Sequence, residues 1–159
     1  MASLNLQNQN DKPQHQIENK FLVPYQANSR FIGRTQFLQT LKLKLSDVAL
    51  KHDNHRIALY GMGGIGKTQC ALGYVYANRD DYDRIYWISS VDKSSLLSGY
   101  QNIAKAACLR FENMNPIEIA NAVLSWLRQQ PSWLIMIDNL DDIQVANGLL
   151  PENSPTHIR

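Results

Sequence analysis

Residues 61–68 read Gly-Met-Gly-Gly-Ile-Gly-Lys-Thr, which fills every fixed position of the pattern G-x-x-x-x-G-K-[ST]. Each part of that pattern has a mechanical task around a chain of phosphates. Glycines at 61, 63, 64 and 66 let the backbone bend until successive N–H groups converge on phosphate oxygens. Lys67 reaches the outer phosphates, and the Thr68 hydroxyl is an oxygen donor for Mg²⁺. A helix starting at Lys67 would add the positive end of its dipole. The flanking sequence supplies the order strand, loop, helix that such a site requires. Arg56-Ile57-Ala58-Leu59-Tyr60 predicts a short strand ahead of the loop, and Gln69 to Asn78 can continue a helix after it.

Further along, Arg84-Ile85-Tyr86-Trp87-Ile88 is a β-type run, rich in aromatic and branched side chains. Ser94 can cap a helix from Ser95 to about Leu109, with Leu96, Leu97, Tyr100, Ile103, Ala104 and Ala107 on one side. Asn115-Pro116-Ile117-Glu118 combines an Asn cap, a first-turn proline and a capping-box glutamate. That helix should run to Gln129, and Pro131 stops it. Trp133-Leu134-Ile135-Met136-Ile137 is apolar without alternation, which predicts a parallel strand covered on both faces. Helices alternating with strands in this way define an α/β class.

The third apolar run ends in Asp138. A carboxylate at the end of a buried strand is suited to hold Mg²⁺ opposite the Thr68 hydroxyl. The next residue is Asn139, an amide that can position water but cannot accept its proton at neutral pH. Asp141 is the candidate to substitute for that proton acceptor. An alternative places Asp141 and Asp142 in the first turn of a short helix, complementing its dipole. Binding is therefore better supported than hydrolysis.

Upstream of the loop, Met1 to Lys20 is rich in Asn and Gln and reads as a flexible polar segment, residues 1–20. Phe21-Leu22-Val23-Pro24-Tyr25 is apolar but interrupted by proline, which suggests an extended segment on the surface. From Thr35, Phe37, Leu38, Leu41, Leu45, Val48 and Ala49 recur at helical spacing. His52 and His55 are loop residues, because no further His or Cys completes a metal set.

The 159-residue chain is long enough for a sizeable core, with 44% apolar and 19% charged residues. A net charge of +2 with scattered basic residues gives no nucleic-acid patch, and Lys42 and Lys44 read as a solvated helix face. Cys70 and Cys108 have neither metal-ligand nor redox spacing and are expected to be free, buried thiols. No stretch approaches the ~18 apolar residues of a membrane-crossing helix, and no secretory leader is visible. A cytoplasmic protein is the expectation.

Four blocks together resemble the NB-ARC domain, the nucleotide-binding part of a group of signal-transducing (STAND-type) P-loop NTPases that includes plant resistance proteins. Phe31-Ile32-Gly33-Arg34 resembles the family's F-V-G-R segment, and Gly61 to Thr68 matches its phosphate loop, including Met62 and Ile65. Ile85-Tyr86-Trp87-Ile88-Ser89 resembles its second strand. Leu134 to Asp142 resembles its Walker B segment, in a D-N-x-D variant associated with fungal members bearing tetratricopeptide repeats.

The resemblance implies a three-layer P-loop NTPase fold with a parallel sheet and flanking helices over residues 21–159, incomplete at its C-terminal end. The family continues with a further strand, and this chain stops near where that strand should begin. The strand before the loop would then be left with an unpaired edge. The resemblance further implies ATP or ADP with Mg²⁺ as ligands, in a defence or incompatibility signalling switch. Phe31, Arg34, Gly61, Met62, Gly63, Gly64, Ile65, Gly66, Lys67, Thr68 and Gln69 would contact nucleotide, with Phe31 and Arg34 on the base side. Thr68 and Asp138 would hold the metal, and Asp138 and Asp141 would serve any hydrolysis. The adenine nucleotide is then the main partner, with homo-oligomers or association with NB-ARC relatives also expected. A different reading is a non-catalytic fragment that binds a full-length relative through its exposed sheet edge.

Overall fold

The computed structural model describes residues 17–30, 33–46 and 56–151. In chain order it contains β1 (Phe21–Leu22), α1 (Thr35–Ser46), α2 (Lys67–Ala77), β2 (Arg84–Ser89), α3 (Lys93–Ala106), α4 (Pro116–Leu127) and β3 (Trp133–Asp138). The three strands form one parallel sheet in the order β1-β2-β3. This is the α/β architecture expected from the alternation of helices and strands.

Alternation along β2 explains the layers. Tyr86 and Ile88 pack with Leu96, Tyr100 and Ile103 of α3 and Ile119, Val123 and Leu127 of α4. Ile85 and Trp87 point the other way, into a second cluster with Leu41 and Leu45 of α1 and Leu72 and Val75 of α2. A side-chain period of two thus puts one helix pair on each face of the sheet. Lys42 on α1 ties that helix to the turn after α2 through Asp81 at 2.6 Å, while Lys44 stays exposed.

Helix ends follow local chemistry with one exchange. Asn115 caps α4 with the full capping box, accepting from Ile117 and Glu118 N–H at 3.0 Å while Glu118 accepts the Asn115 N–H at 2.7 Å. For α3 the cap is Asp92 and not Ser94: its carboxylate accepts the Ser95 N–H at 2.7 Å, and the helix begins at Lys93. A charged acceptor satisfies a first-turn donor better than a hydroxyl does. The helix also stops at Ala106, short of Leu109, and Cys108 then adopts a φ of 55°.

Two strand expectations need correction. Phe21-Leu22 does not merely lie on the surface; it pairs in parallel with Ile85 and Tyr86. The docking begins before it. Glu18 accepts two hydrogen bonds from the Arg84 guanidinium at 3.0 and 3.1 Å. The Asn19 N–H donates to Ala106 and the Lys20 carbonyl accepts from Ile85. Val23 has already left the strand, and Pro24 after it, lacking an N–H, cannot extend the ladder.

Arg56 to Tyr60, expected as the strand before the loop, carries no strand ladder. Tyr60 is 90% exposed. A strand is stabilised by its neighbours' hydrogen bonds and by covered faces. Among the described residues nothing pairs with this segment, and the outer edge of β3 is likewise open. Arg56 instead reaches the Pro151 carbonyl with two hydrogen bonds, at 2.7 and 3.1 Å.

Candidate functional site

The loop at 61–66 leads directly into α2, as its sequence requires. Gly66 occupies the helix N-cap in the left-handed region (φ 88°), and Gly64 does likewise (φ 79°). Both conformations are costly for any residue with a Cβ. Among the described residues the N–H groups of Gly64 and Gly66 find no acceptor, so they are free to bind an anion at the positive end of α2. The Lys67 ammonium folds back over the loop and donates to the Gly61 and Met62 carbonyls at 2.7 and 3.1 Å. Met62 itself projects outward, 84% exposed.

Thr68 and Asp138 come together. The Thr68 hydroxyl lies 3.2 Å and 3.4 Å from the two carboxylate oxygens of Asp138. The half-buried Asp138 is positioned by its backbone, because Ser90 holds its carbonyl through both N–H (2.8 Å) and hydroxyl (3.1 Å). Ser90 is 1% exposed and was not singled out from the sequence. The only sequence signal for it is a small polar residue just past a β-type run.

Arg34 also reaches the loop. Its guanidinium donates to the Ile65 carbonyl and to Cys70 Sγ, each at 2.9 Å. Cys70 is buried as expected, whereas Cys108 is only half-buried, and neither forms a disulfide. The resemblance had put Arg34 on the base side; its side chain lies against the phosphate loop and the first turn of α2. The exposed Gln69 accepts a hydrogen bond from Asn28 at 3.0 Å. These two residues, with Ala27, Leu72, Gly73 and Tyr76, line a cavity of about 150 Å³ beside α2. Phe31 lies outside the described residues.

Beyond β3 the chain turns sharply at Asn139, whose φ is 60° and whose N–H donates to Asp138 Oδ1 at 3.1 Å. Asp141 is exposed in the loop that follows. Asp142 caps a short 3-10 turn, Ile143–Ala146, accepting the Gln144 N–H at 2.9 Å. Neither aspartate lies within the first turn of that segment, so the dipole-complementing alternative gives way to Asp142 as a hydrogen-bonding N-cap. No group of three or more His, Cys, Asp or Glu side chains suited to a metal occurs among the described residues. None of their helices is long and apolar enough to cross a membrane.

A parallel sheet flanked by helices, with this loop opening a helix beside an aspartate-terminated strand, is the arrangement of a P-loop nucleotide-binding domain. The NB-ARC domain family matches residues 34–149, and the chain belongs to that family. A nucleotide-binding leucine-rich repeat (NLR)-like protein from Hyaloscypha variabilis is 32% identical over 137 residues, which cover 84% of this chain. The same stretch covers 14% of the relative, so the chain matches only a small part of that protein's length. No solved structure matches the chain.

Proposed function

We propose that this chain binds ATP and ADP, with Mg²⁺, as the nucleotide-sensing part of a signalling switch. The observation that carries the reading is the meeting of Thr68, in the first turn after the loop, with Asp138 at the end of β3. A hydroxyl and a carboxylate are hard oxygen donors of the kind Mg²⁺ takes, together with phosphate oxygens and water. Adjacent ligands of a six-coordinate Mg²⁺ stand about 3 Å apart, close to the 3.2 Å between Thr68 Oγ1 and Asp138 Oδ1. Thr68 and Asp138 would hold the ion, which when bound would neutralise phosphate charge. Lys67 would exchange its two loop carbonyls for the outer phosphates, and the Gly64 and Gly66 N–H groups would bind phosphate oxygens. Gln69 and the cavity beside it are the nearest candidates for the base side.

Switching fits this site better than rapid turnover. Asn139 supplies no base, and Asp141 is an exposed loop side chain with no bond to Thr68 or Asp138. In a switch, the nucleotide acts by binding one conformational state more tightly than another. Equilibrium titration of the full chain with ATP and ADP, with and without Mg²⁺, tests this reading. Lys67→Ala should abolish binding, and wild-type affinity in that variant would remove the site assignment. A fragment acting solely by association with a relative needs no nucleotide, so the same titration separates the two.

A further inference from the structure

Arg34 stands out because both its ends are held. Its backbone adopts a φ of 58°, costly for a residue with a side chain, and its carbonyl accepts the Leu38 N–H at 2.9 Å at the start of α1. Strained conformations of this kind persist only where the surroundings over-determine them. The far end of the side chain reaches Ile65 and Cys70, 31 and 36 residues away. A Cβ on Gly66 would come within 4.0 Å of Arg34 Nη2, so the guanidinium also lies beside that glycine.

The consequence follows from peptide geometry. The bond between Ile65 and Gly66 is trans, so the Ile65 carbonyl and the Gly66 N–H point in opposite directions. Holding the carbonyl on Arg34 turns the Gly66 N–H away from the guanidinium. Glycine offers no side-chain barrier of its own against this peptide plane rotating. The sulfur contact fixes the guanidinium against the first turn of α2, so the carbonyl is referred to the helix that supplies the remaining donors.

We propose that Arg34 is a positioning residue of the phosphate loop: its grip on the Ile65 carbonyl pre-orients the Gly66 N–H for a phosphate oxygen. It thereby acts on the phosphate side of the ligand and not on the base. This rests on the nucleotide reading above and adds a residue whose contribution passes through the loop backbone. Pre-oriented donors cost no reorganisation when the anion arrives.

The test is an ¹⁵N-resolved NMR titration of the full chain with three probes: ATP, inorganic pyrophosphate and adenosine. Arg34→Gln should weaken ATP and pyrophosphate about tenfold or more and leave adenosine unchanged. Arg34→Lys, which keeps the charge but offers a single nitrogen in place of the two that bind Ile65 and Cys70, should fall between. Equal losses for adenosine and ATP would place Arg34 on the base side and overturn the proposal. So would an Arg34→Lys variant identical to wild type, since charge alone would then account for the residue. Should both variants fail to fold, the wild type decides: the Gly66 amide must shift with pyrophosphate, and an indifferent Gly66 amide sinks the idea. A wild-type chain that binds neither ATP nor pyrophosphate refutes the nucleotide reading itself, whereas loss of the Arg34 effect alone refutes only this inference.

Discussion

The Thr68 hydroxyl meets the Asp138 carboxylate at 3.2 Å, across 70 residues of chain. One partner is fixed by the first turn of α2, the other by the last residue of β3. The two elements are brought together by the sheet, since α2 packs on β2 through Leu72 and Val75 and β3 pairs with β2 along its whole length. The contact therefore reports on fold and site at once.

Thr68→Val keeps the shape and removes the hydroxyl. We expect it to lose the Mg²⁺-dependent part of ATP affinity and to cost about 1 kcal/mol of stability, the worth of one hydrogen bond. A double-mutant cycle with Asp138→Ala, read by urea denaturation, should give a coupling of about 0.5–1.5 kcal/mol. Additive effects would mean that the two groups do not interact.

Gly99 lies in the middle of α3, where alanine ordinarily stabilises a helix by about 1 kcal/mol. Here a Cβ would lie 2.4 Å from Ile88 Cγ2. Overpacking should outweigh propensity, so Gly99→Ala should destabilise the chain by about 1–3 kcal/mol. Adding Ile88→Ala removes the 2.4 Å contact and leaves only the 3.1 Å approach to Ile88 Cβ, so the double variant should lose less than the two single costs combined.

Two buried tyrosines should respond differently to loss of their hydroxyls. Tyr100 donates to the Leu149 carbonyl, so Tyr100→Phe should cost about 1–2 kcal/mol and loosen the segment after β3. Among the described residues the buried Tyr86 hydroxyl has no hydrogen-bond partner, so Tyr86→Phe should be neutral or stabilising. Thermal midpoints of the two variants decide, and equal losses would contradict the assignment.

Alkaline pH should unfold the chain early. Burial pushes Tyr86 up to about 12 and also raises Tyr74, Tyr82 and Tyr100. A raised acid holds its proton in the folded state and releases it when unfolded. This stabilisation is therefore intact below about pH 10 and is lost as pH climbs through the folded values. Each such tyrosine should lower stability by about 1.4 kcal/mol per pH unit in that window. Urea midpoints from pH 8 to pH 11.5 should be flat at first and then fall. A flat line throughout would count against the burial of these hydroxyls.

Legibility tracked sequence separation. The phosphate loop, the α4 capping box and the apolar runs of β2 and β3 lie within single elements, where spacing and residue type suffice. The exchange of Ser94 for Asp92 as the α3 cap was a local competition between two good caps, decided by charge. The grip of Arg34 on Ile65 and the hold of Ser90 on Asp138 cross 31 and 48 residues, and no local pattern encodes them. The segment 56–60 shows the opposite failure: its composition suits a strand, but composition supplies no neighbour. Phe21-Leu22 found a neighbour that its proline-broken context had hidden.

By itself the sequence determined the parts whose physics is short-ranged: glycines where the loop needs left-handed backbone, a lysine and a threonine at the start of a helix, and a carboxylate ending an apolar strand. Their family also follows from that order. Tertiary structure alone decided which side chains face one another. It brought Thr68 to Asp138, sent Arg34 to the loop and left residues 56–60 without a ladder. The reason is that a local pattern sets what each segment can form, whereas partnership depends on which segments the packed sheet places within reach.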